Sequence, residues 1–382
     1  MNLTINEKTT TILPPQQIGI IGGGQLGRMM AIDAKYMGYR VIVLDPTDDC
    51  PTAQVADEQI VAAYDDMEAI KELTAKSNVV TYEFENVDLT AATYIEEQGK
   101  LPQGAYALEV TQNREKEKMA AQDRGLPVPP FQIVTNGDEC EQALQNFTFP
   151  CVIKTCSGGY DGKGQLKLTS EKDVPEAKAF ANQGGRFIIE QWIPFEKEIS
   201  IVFSRTQSGE MHFFPTAEND HRDHILYQTI APARVSSQLV DKARKAATAL
   251  AEEIAVVGTF AIEMFVQGEE VYINEMAPRP HNSGHYTIES CSVSQFGAHI
   301  RAICGLPIPD VEQLQPAVMI NVLGEDMPKA INALTRHPKA HVHLYGKDEA
   351  KAKRKMGHVT FIAQEADTVL QEAKAYEEEK HD

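Results

Sequence analysis

The stretch Lys154-Thr-Cys-Ser-Gly-Gly-Tyr-Asp-Gly-Lys-Gly-Gln165 carries four glycines within seven residues, at the end of a strand-like run. It predicts a mobile hairpin loop whose backbone amides close over phosphate groups. Lys154 ends the apolar run, where an ammonium group is costly unless it meets an anion. The alternative is an ordinary glycine-rich hairpin with a lysine that reaches solvent. It is not a Walker A motif, because no Gly-Lys-Ser/Thr follows, but its context favours a phosphate loop.

A pair of acidic residues, Glu263 and Glu275, lies further along the chain in two apolar runs, Thr259–Val266 and Val271–Asn274. A glycine-containing turn separates the runs, so they predict a β-hairpin. Counting back from the turn places Glu263 opposite Asn274 or Glu275, about 5 Å away. A magnesium ion relieves the repulsion between two such carboxylates and bridges to ATP phosphates. We therefore predict a Mg2+ site here, with Mn2+ as an alternative. The other interpretation, a solvated acidic edge strand, fits poorly with the apolar neighbours of both glutamates.

The first third of the chain alternates short apolar runs with helical periodicity. Strands are predicted at Ile18–Ile21, Val41–Leu44 and Val79–Tyr82, and helices at Leu26–Met37 and Met67–Lys76. This alternation predicts a doubly wound parallel sheet of the α/β class.

A glycine turn, Gly22-Gly-Gly-Gln-Leu-Gly27, follows the first of these strands and opens a helix. With Asp45 at the end of the next strand it fits a dinucleotide fingerprint. The same turn suits any polar ligand at a helix N-terminus, or simply lets a helix pack closely on a strand. An NAD-dependent oxidoreductase would leave Lys154, Glu263 and Glu275 without a purpose, so this alternative is not favoured.

The middle of the chain, from Phe131 to about Ala302, has an α+β pattern with antiparallel hairpins. A polar helix over Thr111–Arg124 precedes it, the helix Gln238–Glu253 interrupts it, and a charged helix over Glu365–Lys380 ends the chain. The strand-like runs of this part are Cys151–Lys154, Phe187–Glu190, Ile199–Phe203, Thr259–Val266 and Val271–Asn274.

Composition narrows the class of protein. A chain of 382 residues, 42% hydrophobic and 24% charged, predicts a globular protein of two or three domains. The net charge of −19 argues against nucleic acid as a partner, though not against small phosphorylated ligands. Six cysteines without a CxxC pair, and a polar N-terminus unlike a signal peptide, predict a cytoplasmic protein with reduced thiols. No apolar stretch approaches the roughly 20 residues that span a bilayer, so no membrane partner is expected.

Three further segments are candidates for binding. Phe187–Ile193 is predicted to be a strand that runs into a short connector, a common place for backbone groups to bind an adenine edge. The alternative is a core strand with exposed acidic residues. The polar loop Ala277–His285 suits an active site, while its proline and glycine disfavour a helical zinc pair of histidines. Lys347 and the segment Lys353–His358 form a basic cluster, which as residues alone is more typical of a solvated loop than of a phosphate site.

Together these motifs resemble the ATP-grasp superfamily, and within it the ligases of de novo purine biosynthesis that make 5-carboxyaminoimidazole ribonucleotide. The resemblance covers about 18–361 and is carried by Gly22–Met30, Gly158–Gln165, Asn274–His285 and Arg354–His358. It implies an ATP-grasp fold, α/β and α+β, with an N-terminal doubly wound, Rossmann-like pre-ATP-grasp domain and a small C-terminal domain. We place an extension at 1–16, the pre-ATP-grasp domain at 17–115, the ATP-grasp domain at 116–310 and the C-terminal domain at 311–382.

The resemblance also implies a reaction: ATP phosphorylates bicarbonate to carboxyphosphate, whose carboxyl group passes to the exocyclic amine of aminoimidazole ribonucleotide. Magnesium at Glu263 and Glu275 and a homodimer are implied with it. The residues implied for ATP are Arg114, Lys154, Gly159, Tyr160, Asp161, Gly162, Lys163, Gly164, Gln165, Glu190, Gln191, Trp192, Ile193, Glu198, His221, Asn274 and Glu275. Those implied for the other substrates are Gln25, Leu26, Glu83, Asn282, Ser283, Lys347 and Arg354. Those implied for catalysis are Lys154, Asp161, Lys163, Arg279 and His281.

Two alternatives within nucleotide chemistry remain open. A formate-using glycinamide ribonucleotide ligase, or another carboxyphosphate-forming carboxylase, shares the fold, but the loop at His281–His285 and the short C-terminal segment favour the carboxyaminoimidazole enzyme. A non-catalytic nucleotide-binding module is disfavoured by the intact lysine, the metal acids and the histidine loop.

Overall fold

In the computed structural model, residues 11–158 and 164–379 are described. A parallel four-stranded sheet opens the described chain, with the strand order β3-β2-β1-β4. Its elements are β1 (Gln17–Ile21), α1 (Gln25–Tyr36), β2 (Arg40–Asp45), β3 (Glu58–Val61), α2 (Met67–Lys76), β4 (Val79–Tyr82) and α3 (Leu89–Glu97). The predicted doubly wound sheet is confirmed, and its inner strands are buried because helices cover both faces. Sequence patterning missed β3, a short edge strand with polar residues at its start.

The polar helix predicted over Thr111–Arg124 is confirmed in its main part, but it begins at Arg114 instead of Thr111. The structure has α4 (Ala105–Thr111) and α5 (Arg114–Asp123), with a break between them. Asn113 causes the break, because its side chain accepts hydrogen bonds from the backbone N–H groups of Glu115 and Lys116 and so caps α5. The cap starts a new helix axis at Arg114, a residue of the site below.

A second, antiparallel sheet has the order β5-β8-β6-β7 in the described residues. It comprises β5 (Phe131–Val134), α6 (Gly137–Leu144), β6 (Cys151–Thr155), β7 (Gln165–Leu168), α7 (Val174–Ala181) and β8 (Phe187–Gln191). The hairpin β6–β7 pairs Lys154 with Gln165. It therefore flanks the glycine loop, whose residues Gly159, Tyr160, Asp161, Gly162 and Lys163 lie outside the described residues.

The largest sheet within the described ranges has the order β14-β13-β9-β11-β12-β15-β17-β16, with β10 on β9. Its first part comprises β9 (Lys197–Arg205), β10 (Met211–Phe213), β11 (Ala217–Arg222), β12 (Ile225–Ala231), α8 (Ser237–Ile254), β13 (Gly258–Gln267) and β14 (Glu270–Ala277). The rest comprises α9 (Thr287–Ser290), α10 (Gln295–Ile303), β15 (Ala317–Leu323), α11 (Met327–Arg336), β16 (Ala340–Leu344), β17 (Lys355–Ile362) and α12 (Ala366–Glu378). The last strands thus extend the central sheet, because β15 pairs with β12.

The predicted hairpin β13–β14 is confirmed, and its register makes Glu263 and Glu275 direct cross-strand partners. The helix α8 covers this sheet with a row of buried alanines and leucines and closes the main apolar core. All six cysteines are buried free thiols. Among the described helices, none combines the length and the apolar character needed to cross a membrane.

Candidate active site

The three sheets border one large cavity of about 1240 Å³. Residues predicted from distant parts of the sequence line it together: Gln25, Leu26, Arg114, Lys154, Gln165, Glu190, Gln191, Trp192, Ile193, Glu198, His221, Glu263, Asn274, Glu275, Arg279, His281 and Asn282. The glycine turn, the phosphate loop's lysine and the acidic pair therefore face one space.

Lys154 sits at one end of this cavity beside a buried carboxylate. Its Nζ donates to Glu190 Oε2 at 3.1 Å. Burial alone would raise the pKa of Glu190, but the positive charges of Lys118, Lys154 and Arg114 bring it down to about 2. Glu190 is therefore ionised, and it holds the lysine in place at the edge of the cavity.

Lys118 is a site residue that the sequence analysis missed. It is 1% exposed, and its Nζ lies 3.8 Å from Glu190 Oε2. The same ammonium donates to the carbonyl oxygens of Ile273 at 3.1 Å and Asn274 at 2.8 Å. It thus connects β8 with the strand that carries Glu275. The one available signal is its spacing from Arg114, since residues four apart share a helix face.

Glu263 and Glu275 are like charges held close together across the hairpin. Burial and the negative charge of Glu275 raise the pKa of Glu263 to about 7. Arg114 Nη1 is 3.9 Å from Glu275 Oε2, too far for a hydrogen bond. No group of three or more Asp, Glu, His or Cys in the described residues is arranged to hold a metal alone.

His221 is paired with Glu198 on the neighbouring strands β11 and β9. Burial alone would lower the pKa of His221, but the bonded Glu198 carboxylate and the charge of Glu263 raise it to about 9. The pair therefore carries a positive imidazolium at neutral pH. It places that charge close to the carboxylate pair on β13 and β14.

An aromatic wall borders the cavity near the predicted adenine site. The Lys167 ammonium lies over the Trp192 ring, 3.7 Å from its centroid, and Phe195 stacks on Phe265 with centroids 4.6 Å apart. The two phenylalanines were not predicted, because they come from segments about 70 residues apart in the sequence.

The glycine turn is occupied by the protein's own carboxylate. Glu83 accepts hydrogen bonds from the backbone N–H groups of Gly24 and, at 2.8 Å, Gly27. A Cβ at Gly24 would lie 2.6 Å from Glu83 Oε1, so any side chain there would displace the carboxylate from these amides. Asp45 is likewise used internally, since it accepts from Gly23 N at 2.7 Å and from Tyr64 Oη at 2.6 Å. The amides of Gly23, Gly24 and Gly27 are thus already bonded within the protein, which disfavours a pyrophosphate at this helix N-terminus.

The loop after β14 aims its side chains into the cavity. Glu85 holds Arg279 through two hydrogen bonds, from Nε at 2.6 Å and Nη2 at 2.8 Å. His281 Nε2 lies 3.8 Å from Glu263 Oε1. Both polar atoms of the Asn282 side chain are buried without a partner in the described part of the chain, so they are available to a ligand. Glu85 was not predicted as a site residue.

Four predicted substrate residues, Glu83, Ser283, Lys347 and Arg354, lie beside the cavity rather than on the part of its wall that the described residues form. Lys347 Nζ donates to the Lys355 carbonyl at 2.7 Å. Burial and the charge of Arg354 lower the pKa of Lys347 to about 8, although Glu83 opposes the shift. Arg354 donates to the carbonyl of Glu349 at 3.1 Å. Lys355, which was not among the predicted residues, lines the cavity itself.

The basic segment is docked against the first sheet. Gln54 Nε2 donates to the Gly346 carbonyl at 2.8 Å, and a Cβ at Gly346 would lie 2.2 Å from Gln54 Oε1. The C-terminal basic residues therefore approach the same end of the cavity as the glycine turn. Within the predicted phosphate loop, the carbonyl of Gly164 accepts from Thr155 N at 2.8 Å.

Comparison with known proteins identifies the three parts of the chain. Residues 16–112 match the ribonucleotide synthetase preATP-grasp domain, residues 119–296 the ATP-grasp domain, and residues 317–372 the phosphoribosylaminoimidazole carboxylase C-terminal domain. These matches confirm the predicted fold class.

Relatives of known function match nearly the whole chain. The chain is 48% identical over 362 residues to N5-carboxyaminoimidazole ribonucleotide synthase of Bacillus subtilis strain 168, which covers 94% of this chain and 95% of the relative. A crystal structure of an N5-carboxyaminoimidazole ribonucleotide synthetase with ADP is 51% identical, with a TM-score of 0.94 and coverage of 97% and 98%. The Aspergillus clavatus N5-carboxyaminoimidazole synthase, in complex with ADP and 5-aminoimidazole ribonucleotide, is 32% identical, with a TM-score of 0.88 and coverage of 94% and 97%.

Proposed function

Because this chain belongs to the family of N5-carboxyaminoimidazole ribonucleotide synthases, which are ATP-grasp ligases, we propose how its cavity carries out that family's reaction. The reaction is the ATP-dependent carboxylation of 5-aminoimidazole ribonucleotide in purine biosynthesis. The observation that carries the proposal is the single cavity, which joins the Lys154 end, the carboxylate pair and the glycine turn.

ATP is proposed to lie along β8 and the carboxylate pair. Glu190 to Ile193 line the adenine and Glu198 the ribose, while Lys154 and Arg114 face the phosphates. Support comes from the ionised Glu190, which orients Lys154 toward the cavity, and from the partly buried Arg114 near Glu275. The positive charges of Lys154 and Arg114 offset the free-energy cost of transferring the phosphate groups of ATP from bulk water into the cavity.

Magnesium is proposed at Glu263 and Glu275, with the Asn274 amide oxygen nearby. Support comes from the raised pKa of Glu263, to which burial and then the neighbouring Glu275 carboxylate contribute, since a cation between the two carboxylates would relieve this repulsion. When bound, the ion supplies neutralisation of charge on the transferring phosphoryl group.

Bicarbonate is proposed to react between the carboxylate pair and the glycine turn, where Arg279, His281 and Asn282 face the cavity. Transfer of the terminal phosphoryl group of ATP to a bicarbonate oxygen yields carboxyphosphate and ADP. The amine of the ribonucleotide then attacks the carboxyl carbon, phosphate leaves, and the amine loses one proton. Arg279 is preorganised for the anions of this sequence because Glu85 accepts from Nε and Nη2 on one edge of its guanidinium, while Nη1 donates to the Pro280 carbonyl at 3.0 Å.

The ribonucleotide is proposed to lie against Gln25 and Leu26, with its phosphate toward the basic segment. Lys347 and Arg354 approach this end of the cavity beside Lys355, and the three side chains supply positive charge in an otherwise acidic protein. Glu83 is proposed beside the ribonucleotide as well. Its carboxylate also fixes the glycine turn that carries Gln25.

A cytoplasmic location and a homodimer belong to the same proposal. The buried free thiols support a reducing compartment. Light scattering coupled to gel filtration tests the dimer directly, and a monomer would refute it.

The function is tested by ADP release with magnesium, with aminoimidazole ribonucleotide, bicarbonate, formate and glycinamide ribonucleotide added in turn. We expect ADP to form when the first two are present together, and the carboxylated ribonucleotide to accumulate with it. ADP formation that requires formate and glycinamide ribonucleotide would contradict the proposed substrates while leaving the fold unaffected.

A further inference from the structure

A chain of buried hydroxyl groups ends on the ring of His281. Ser200 Oγ donates to Ser283 Oγ at 2.8 Å, and Ser283 Oγ lies 2.8 Å from His281 Nδ1. Both serines are fully buried. Ser200 lies on β9 and Ser283 in the loop after β14, so the chain joins the central sheet to the loop that faces the cavity.

The backbone fixes the direction of these hydrogen bonds. The N–H group of Ser283 donates to His281 Nδ1 at 3.3 Å, and a backbone N–H can only donate. Nδ1 must therefore carry a lone pair. Ser283 Oγ accepts from Ser200, which leaves its own hydrogen to donate to the same Nδ1. In the neutral ring the single proton then resides on Nε2.

The backbone of His281 is clamped by a buried glutamine. Gln295 Oε1 accepts from His281 N at 2.9 Å, and Gln295 Nε2 donates to His281 O at 2.7 Å. A Cβ at Gly284 would lie 2.5 Å from Gln295 Oε1, so glycine at that position makes room for the clamp. The ring consequently has a fixed position, and its Nε2 faces the cavity near Glu263.

We propose that Ser283 and Ser200 are positioning residues that keep the proton of His281 on Nε2, so that His281 donates a hydrogen bond to an oxygen of bicarbonate or carboxyphosphate. This inference rests on the proposed function. His281 is then a hydrogen-bond donor to the reacting anion and not a general base. As a base it would need its lone pair on Nε2 and its proton on Nδ1, where the Ser283 N–H already points. Two donors would then face each other in a buried place.

The first test observes the ring directly. In protein labelled with 15N at histidine, we expect the His281 signals, assigned by comparison with the His281→Gln variant, to show a protonated Nε2 and an unprotonated Nδ1. Ser283→Ala removes the hydroxyl and keeps the backbone N–H, so it should increase the share of the other tautomer. A proton on Nδ1 in the unmodified protein would overturn the inference. This measurement needs no turnover, so it stands apart from the test of the proposed function.

The second test uses two amides as matched substitutes. The side-chain nitrogen of glutamine reaches the place of Nε2, while that of asparagine reaches only the place of Nδ1. Loss of a donor to a reacting oxyanion costs roughly 100-fold in kcat, so His281→Asn should lose about that factor and His281→Gln about tenfold less. Ser283→Ala should raise the KM for bicarbonate severalfold with the KM for ATP unchanged. Equal losses in the Gln and Asn variants, or a change confined to the KM for ATP, would refute the donor role.

Discussion

Replacement of Lys118 by methionine probes the connection between the ATP end of the cavity and the metal-binding strand. Methionine fills similar volume but removes the ammonium that donates to the carbonyls of Ile273 and Asn274 and lies near Glu190. Removing one member of a buried charge pair costs about 3–5 kcal/mol of the free energy of unfolding. With about 2 °C per kcal/mol for a chain of this size, Tm should fall by roughly 6–10 °C.

The same substitution should weaken magnesium binding, because the released carbonyls belong to β14 just before Glu275. We expect the magnesium concentration for half-maximal activity to rise roughly tenfold, equivalent to about 1.4 kcal/mol. Thermal denaturation and a magnesium titration of ADP release measure the two effects. Lys116→Met is the matched control, since Lys116 lies on the same helix but makes an exposed ion pair with Glu109, worth about 0–1 kcal/mol. If both variants lose under about 2 °C and keep the same magnesium requirement, Lys118 has no connecting role.

Three further predictions concern single charges of the site. Glu275→Gln should lower kcat by at least about 100-fold at ordinary magnesium concentrations in the ADP-release assay. Glu270→Gln is the control, because Glu270 lies on the same strand but is exposed, and it should keep full activity. Full activity in Glu275→Gln would remove the carboxylate pair from the mechanism. The pKa of Lys347 is about 8, so its ammonium is present below pH 8 and is lost as the pH rises above that value. The KM for the ribonucleotide should therefore rise by up to tenfold per pH unit above pH 8. Lys347→Arg keeps its charge and should flatten that profile, and a flat profile in the unmodified enzyme would contradict the phosphate contact. Glu85→Gln should loosen Arg279 and raise the KM for bicarbonate, measured by steady-state kinetics. Thermal denaturation should show a smaller loss of Tm than in Lys118→Met, because the Glu85 side chain is 30% exposed. An unchanged KM would show that Arg279 needs no such partner.

Local rules were sufficient for part of this site. The apolar runs of the first sheet and the hairpin β13–β14 follow from periodicity and from one glycine turn, and the turn alone narrows the partner of Glu263 to Asn274 or Glu275. Glu263 and Glu275 are only 12 positions apart, so the geometry of the short segment between them is nearly fixed. The start of α5 was predicted three residues too early. The polar residues on both sides of Asn113 are compatible with one continuous helix, but the Asn113 side chain caps α5 and ends that continuity.

Pairings over long separations do not follow from local rules. Glu85 and Arg279 are 194 positions apart, and Lys118 is 155 positions from Ile273. In the sequence, Lys118 belongs to a highly charged segment that is typical of a solvated helix face. Its burial is tolerated only because Glu190, from a strand of another sheet, and two carbonyls of β14 surround the ammonium. The Lys118 ammonium and the Glu190 carboxylate each offset the desolvation cost of burying the other. Neither can therefore be identified as buried until the packing of the two sheets is known. A buried charge of this kind is thus a property of the assembled cavity, and the cost of removing it is the measure of how firmly the ATP end and the metal-binding strand are held together.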